Sequence, residues 1–231
     1  MLKSRLCIAF FAFAVGCAPA QKPLTDYVNP MLGTATLWDS VDLGFKPTKR
    51  TWGAEVFPGS SLPNAMVQVS PVTKFHSGAG YQYEDSVIYG FTHTNKGHWN
   101  LCHIPLLPVT GTPTPGDYCS PFSHERESAA PGYYQVFLDR YGVDAQLSST
   151  LRCAFHKYTY PAGAAASLLA DLQRSNEHVR AWDIRKEGDN VFAGWQQTGE
   201  KMYFYAVANR PVTGIEPVVE GDREAVSYTH L

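Results

Sequence analysis

Residues 90–109, Gly-Phe-Thr-His-Thr-Asn-Lys-Gly-His-Trp-Asn-Leu-Cys-His-Ile-Pro-Leu-Leu-Pro-Val, gather ring nitrogens, amides and an indole more densely than any other stretch of the chain. Three of the eight histidines, His93, His98 and His103, stand here around Trp99, Asn95 and Asn100. Imidazoles at this density first raise metal binding or acid–base chemistry. The spacing speaks against a metal. His98 and His103 are five residues apart, Pro105 opposes a helix, and Cys102, Cys119 and Cys153 form no C-x-x-C pair. Sugar recognition fits the same residue types better. An indole covers the apolar face of a pyranose while imidazole and amide groups meet its hydroxyls. Mutual satisfaction of these groups at a strand end is the alternative, and composition leaves the two open.

Neighbouring elements must hold these groups in place. The apolar run 104–109 predicts a buried strand that displays the polar part of the stretch as a loop. Upstream, 65–72 alternates apolar with polar until Pro71, and 81–91 supplies one or two more strands. Glycines at 33, 53 and 59, in turn-rich segments, allow backbone to approach a ligand or another strand. A polar insert with Trp38 and Trp52 separates them. Residues 110–128 read as a long irregular connection ending in a short turn capped by Ser123. Beyond Pro131 the alternation is plain: a hairpin over 133–148 about Gly142, a strand over 151–160, another at 167–172, and a second hairpin, 179–186 with 191–197, around the loop 187–190. Residues 202–208 are apolar on both faces and predict an inner strand. About ten strands, no long amphipathic helix and no internal repeat predict an all-β, antiparallel β-sandwich.

Composition narrows the function classes. A net charge of -2 with 17% charged residues gives no basic field for nucleic acid. Glycine-rich phosphate loops, H-E-x-x-H and G-x-S-x-G are all missing from the sequence. Residues 1–20 read as a signal peptide: Lys3 and Arg5, then an apolar stretch too short to span a bilayer. Ala14-Val15-Gly16-Cys17 resembles a bacterial lipobox with Cys17 as the lipidated residue, and Ala18-Pro19-Ala20 is the alternative cleavage site. The protein is therefore expected in the periplasm or as a cell-surface lipoprotein of a Gram-negative bacterium, touching membrane only through a lipid anchor. Residues 21–28 are expected as a linker and 29–226 as the sandwich. Residues 227–231 resemble translated adapter sequence and are set aside as an artefactual tail. Three cysteines beyond the leader allow one disulfide with one thiol left over.

Several landmarks in order carry a resemblance. They are Tyr-Val-Asn-Pro-Met-Leu-Gly-Thr at 27–34, Gly-Ala-Glu-Val-Phe-Pro-Gly at 53–59, Pro-Asn-Ala-Met-Val-Gln-Val-Ser-Pro at 63–71, and Gly-Phe-Thr-His-Thr at 90–94. Leu-Leu-Pro-Val at 106–109, Ser-His-Glu at 123–125 with Pro-Gly-Tyr-Tyr at 131–134, and Phe-His-Lys-Tyr-Thr-Tyr-Pro at 155–161 complete the series. Over 27–222 the chain resembles the N-terminal β-sandwich of glycoside hydrolase family 92, the calcium-dependent exo-α-mannosidases.

That resemblance implies a two-domain glycosidase whose (α/α)-barrel domain, with the catalytic carboxylates and the calcium ligands, comes after this sandwich. No catalytic residue and no metal ligand is therefore assigned within the chain, and the fragment alone is expected to be inactive. It further implies α-mannoside glycans as substrate, cleaved with inversion, and a cleft shared with the chain's own C-terminal catalytic domain. The Gly-His-Trp-Asn of 97–100 is similar to that of members acting on α-1,2-linked mannose, in which Trp99 stacks on the leaving sugar. His98 and Asn100 would bond hydroxyls or hold the loop, and Gly33, Gly53 and Phe57 would lie near the terminal mannose. A stand-alone carbohydrate-binding or adhesion sandwich is the alternative. Trp182, Trp195 and His156 are expected in structural roles, and His124 with Glu125 as a polar pair or a capped turn.

Overall fold

A computed structural model describes residues 21–36, 44, 56–96, 99–114, 116–220 and 223–230. The leader with Cys17, the insert carrying Trp38 and Trp52, Gly53 and His98 lie outside the described residues. Residues 24–27 form one exposed 3-10 turn within the expected linker. The first strands are β1 (Ser60–Ser61), β2 (Gln68–Val72), β3 (Val87–Ile88), β4 (Gly90–Thr92), β5 (Asn95–Lys96) and β6 (Trp99–Asn100). Then come β7 (Leu106–Thr110), β8 (Ser120–Pro121), β9 (Glu127–Ala130), β10 (Tyr133–Leu138), β11 (Val143–Ser149) and β12 (Ala154–Thr159). The last are β13 (Ala166–Ala170), β14 (Ala181–Gly188), β15 (Val191–Gln197), β16 (Lys201–Val207), β17 (Gly214–Glu220) and β18 (Arg223–His230).

A seven-stranded antiparallel sheet, β1-β2-β4-β7-β13-β18-β17, forms the middle of the molecule. Its strands β7 and β13 read as nearly continuous apolar runs because both of their faces are covered. Leu107, Val109 and Leu169 face the main core together with Tyr134, Val136, Leu138, Val143, Ala145 and Leu147 of the four-stranded sheet β12-β11-β10-β9. The alternate residues Leu106, Leu168 and Ala170 enter a second core with Phe192, Ile184, Met202 and Phe204 of the sheet β14-β15-β16. Register enforces this division, since Leu169 stands opposite Leu107 and Ala170 opposite Leu106. The antiparallel sandwich is thus present, with a third sheet on its outer side. Gly59 shows why one landmark glycine is needed: a Cβ there would sit 2.1 Å from Val69 O.

Two expectations change. Residues 202–208 do not make an inner strand: β16 is an edge strand that alternates exposed with partly buried residues and leaves Tyr203 and Tyr205 about 70% exposed. Apolar residues on both faces misled the reading, because tyrosine suits a pleated surface that is open to water. The irregular connection 110–128 ends in the expected Ser123-capped turn, a 3-10 turn at His124–Arg126, but also contains β8 and the start of β9. Residues 227–230 fall within β18, whose backbone pairs with both β13 and β17.

Candidate functional site

The polar stretch of 93–104 forms a small hairpin, β5 with β6, and a loop returning to β7. Lys96 stands opposite Trp99 beside the turn, and Trp99 is 42% exposed. Asn100 turns inward instead. Its Oδ1 accepts from the Cys102 N–H at 2.8 Å and from the Thr92 hydroxyl at 3.4 Å, and its own N–H donates to Gly78 O.

Asn176, Gln196 and Thr198, all distant in sequence, bond to this stretch. Asn176 donates from Nδ2 to Asn100 O at 2.6 Å and accepts the His76 N–H at 2.6 Å. Gln196, fully buried, accepts the Ile104 N–H and donates to Leu172 O and Arg174 O, each at 2.9 Å. His103 bridges Thr94 Oγ1 and Thr198 Oγ1 at 2.8 and 3.1 Å, and Thr198 donates on to Glu177. Burial pushes His103 below the usual imidazole range against the opposing pull of Glu177. Nothing local in the sequence signals these partners, because they lie 76 to 100 residues away.

His93 anchors the other end of the stretch. Its Nδ1 donates to Ile104 O at 2.9 Å, an atom that can only accept, so Nε2 is left to accept from His156 Nε2–H at 2.9 Å. His156 Nδ1 in turn accepts the Tyr158 hydroxyl at 2.7 Å. Burial pushes His93 down to about 4 and lowers His156 as well. The expected structural role of His156 is what this chain of bonds describes. The loop it braces is strained, since Cys102 and Ile104 adopt φ of 53° and 54° without being glycine. For a β-branched residue such a φ is a true outlier, and backbone strain of this kind gathers at ligand sites.

Of the expected terminal-sugar residues, Gly33 and Phe57 fall within the described residues. Gly33 turns with φ 86°, and Thr34 O next to it accepts the Tyr83 N–H at 3.1 Å. Thr36 binds the Glu84 carboxylate through N–H and hydroxyl at 2.7 and 3.0 Å. Phe57 is half-buried against the main core. One short loop therefore ties both parts together: Gly78 O holds the Trp99 hairpin and the Tyr83 N–H holds the Gly33 turn. Five residues of chain span at most about 18 Å. Gly80 makes the close approach possible, for a Cβ there would lie 2.9 Å from Asn100 Nδ2.

His124 takes a partner other than Glu125. Ser123 caps the turn as expected by accepting the Glu125 N–H, but His124 Nδ1 lies 2.5 Å from Glu127 Oε2. A helical i, i+3 reading would have found Glu127. Trp182 packs in the second core and Trp195 stands cross-strand from Tyr203 with the Lys201 ammonium 3.5 Å from its ring centre. Cys102, Cys119 and Cys153 are free thiols. Calcium requires about six to eight oxygen donors. Among the described residues no three His, Cys, Asp or Glu side chains converge on a metal position, so these residues do not fit the ion.

A strained loop thus presents an indole from an antiparallel β-sandwich. Residues 27–229 match the glycosyl hydrolase family 92 N-terminal domain, and the chain belongs to that family. The α-mannosidase BT3965 of Bacteroides thetaiotaomicron is similar over 90% of this chain and 30% of its own, with 26% identity and a TM-score of 0.73. Its complex with mannoimidazole aligns with 27% identity and a TM-score of 0.70, over 90% of this chain and 29% of that one. The inverting mannosidase BT2199 of B. thetaiotaomicron VPI-5482 shares the fold, at 22% identity and TM-score 0.71, over 91% of this chain and 30% of its own. The chain thus spans about 30% of the length of these enzymes. No curated protein matches it.

Proposed function

We propose that this chain is the N-terminal part of an exported exo-α-mannosidase that removes terminal, α-1,2-linked mannose from glycans with inversion and with calcium held by a subsequent catalytic domain. Export would proceed through the 1–20 leader, with Cys17 as lipid anchor. Family membership supports the glycosidase reading, and the solved relatives are α-mannosidases, one of them bound to mannoimidazole. One observation carries the assignment of the sandwich to the sugar cleft: Trp99 is 42% exposed on a hairpin whose return loop and backbone are held by Asn100, Gln196 and Asn176. A platform fixed in this way loses little freedom when a sugar stacks on it.

Inverting hydrolysis needs an acid and a base about 6.5–9.5 Å apart. Both are assigned to the other domain, so the 231-residue chain should not hydrolyse mannosides by itself. The test uses the enzyme encoded by the intact locus. Trp99→Ala should cut kcat/KM on an α-1,2-mannobiose about five- to thirtyfold and on an activated aryl mannoside less than threefold, since stacking on the leaving sugar contributes about 1–2 kcal/mol. Equal losses on both substrates would remove Trp99 from the leaving-sugar site. A locus that ends without a second domain would remove the enzyme reading.

A further inference from the structure

Tyr83 is the other exposed aromatic ring on the loop that links the Trp99 hairpin to the Gly33 turn, and it is 40% exposed. Its ring lies flat on the imidazole of His124, centroids 3.9 Å apart and planes 2° from parallel. That imidazole has no freedom to tilt. Its Nε2 bonds Tyr83 O at 2.7 Å, its Nδ1 meets Glu127 Oε2 at 2.5 Å, and Phe122 packs edge-on against it at 5.3 Å. Glu127 is itself buried, with a side chain 1% exposed, and accepts hydroxyl bonds from Tyr81 at 3.0 Å and Tyr134 at 2.6 Å. Burial and the adjoining carboxylate keep both phenols protonated as donors. Other exposed aromatics such as Phe155 and Tyr205 have no such support among the stacked ring pairs of the described residues.

We propose that Tyr83 is a second sugar-stacking platform of the same cleft, receiving a pyranose on the ring face turned away from His124, with His124 and Glu127 as positioning residues. A flat, pre-set and exposed ring matches the apolar face of a hexose, and its backbone tie to Thr34 O puts it beside the Gly33 turn. Tyr83 therefore meets the terminal sugar and Trp99 the one after it. This deepens the mannoside-cleft reading and rests on it.

The test is saturation-transfer NMR on the enzyme encoded by the intact locus with methyl α-mannopyranoside and a thio-linked, non-hydrolysable α-1,2-mannobiose. Tyr83→Ala should weaken binding of the monosaccharide at least fivefold, Tyr83→Phe should stay within twofold, and His124→Ala should fall between them with an unchanged circular dichroism spectrum. Trp99→Ala should leave the monosaccharide bound and lose the added affinity of the disaccharide. Monosaccharide binding unaltered in Tyr83→Ala overturns the platform. If Trp99→Ala still loses disaccharide affinity in that case, the cleft reading survives alone. If neither substitution matters, both fail. Equal losses in Tyr83→Phe and Tyr83→Ala, or no transfer to either sugar from the parent enzyme, also overturn it.

Discussion

Asn176 shows how much of the site rests on single side chains that carry no chemistry. Removing its amide leaves Asn100 O without its partner in a partly buried position and the His76 N–H without its partner in an exposed one. Asn176→Ala should therefore destabilise by about 1–3 kcal/mol, read as a fall in Tm of several degrees. A change below one degree would show that water replaces it. Gly80→Ala should act more severely, since the new Cβ meets Asn100 at 2.9 Å on a φ of 76°. Trp99, Asn100 and Gly33 could be singled out in the sequence because indole, amide and glycine stand beside turn formers or apolar runs. Asn176, Gln196 and Tyr83 could not be, because their roles arise from contacts across the fold. Tyr83 in particular sits in Tyr-Gln-Tyr-Glu-Asp, where alternation reads only as a strand.

Among the elements, β7 and β13 bear both cores, while β16 closes only one. Leu169→Ala should cost about 2–5 kcal/mol, whereas Tyr205→Thr, on the outward face, should change stability by less than about 0.5 kcal/mol. Urea melts of the two variants separate an edge strand from an inner one. If Tyr205→Thr proved as damaging as Leu169→Ala, the third sheet would have to be covered on its outer side. The hairpins were legible because β10 and β11 alternate buried with half-buried residues around Gly142. The two-residue strands β3, β5, β6 and β8 were not, since so short a run has no period to detect. Nor did β16 reveal its edge position, as alternation between large apolar residues looks the same on either side.

For the molecule as a whole, acid should loosen the sandwich. His93, His103 and His156 are all lowered by burial, His93 to about 4, so the unfolded chain takes up protons below about pH 6.5 that the folded chain refuses. Their contribution is complete above that range and is lost as pH falls toward 4. Asp171 acts in the opposite sense: burial raises it to about 7, so the folded chain keeps a proton that the unfolded one releases. Three sites against one leave stability falling with acid. Tm measured from pH 7 to 4.5 should drop steadily, and His156→Gln should flatten the slope by up to about half. A flat profile in the parent chain would contradict the burial of these rings. This acid response was invisible in the sequence, where His93 and His156 are merely two imidazoles 63 positions apart.

The free thiols supply a clock for the sugar-facing loop. Cys153 is exposed, whereas Cys102 is fully buried between Asn100 and His103 with its ionisation suppressed by burial. A pulse of alkylating reagent, read thiol by thiol through peptide mapping, should mark Cys153 within the dead time. Cys102 should be marked only at the rate with which the hairpin lifts away. Asn176→Ala should quicken Cys102 and leave Cys153 alone, so the lifetime of the closed hairpin becomes measurable without any substrate.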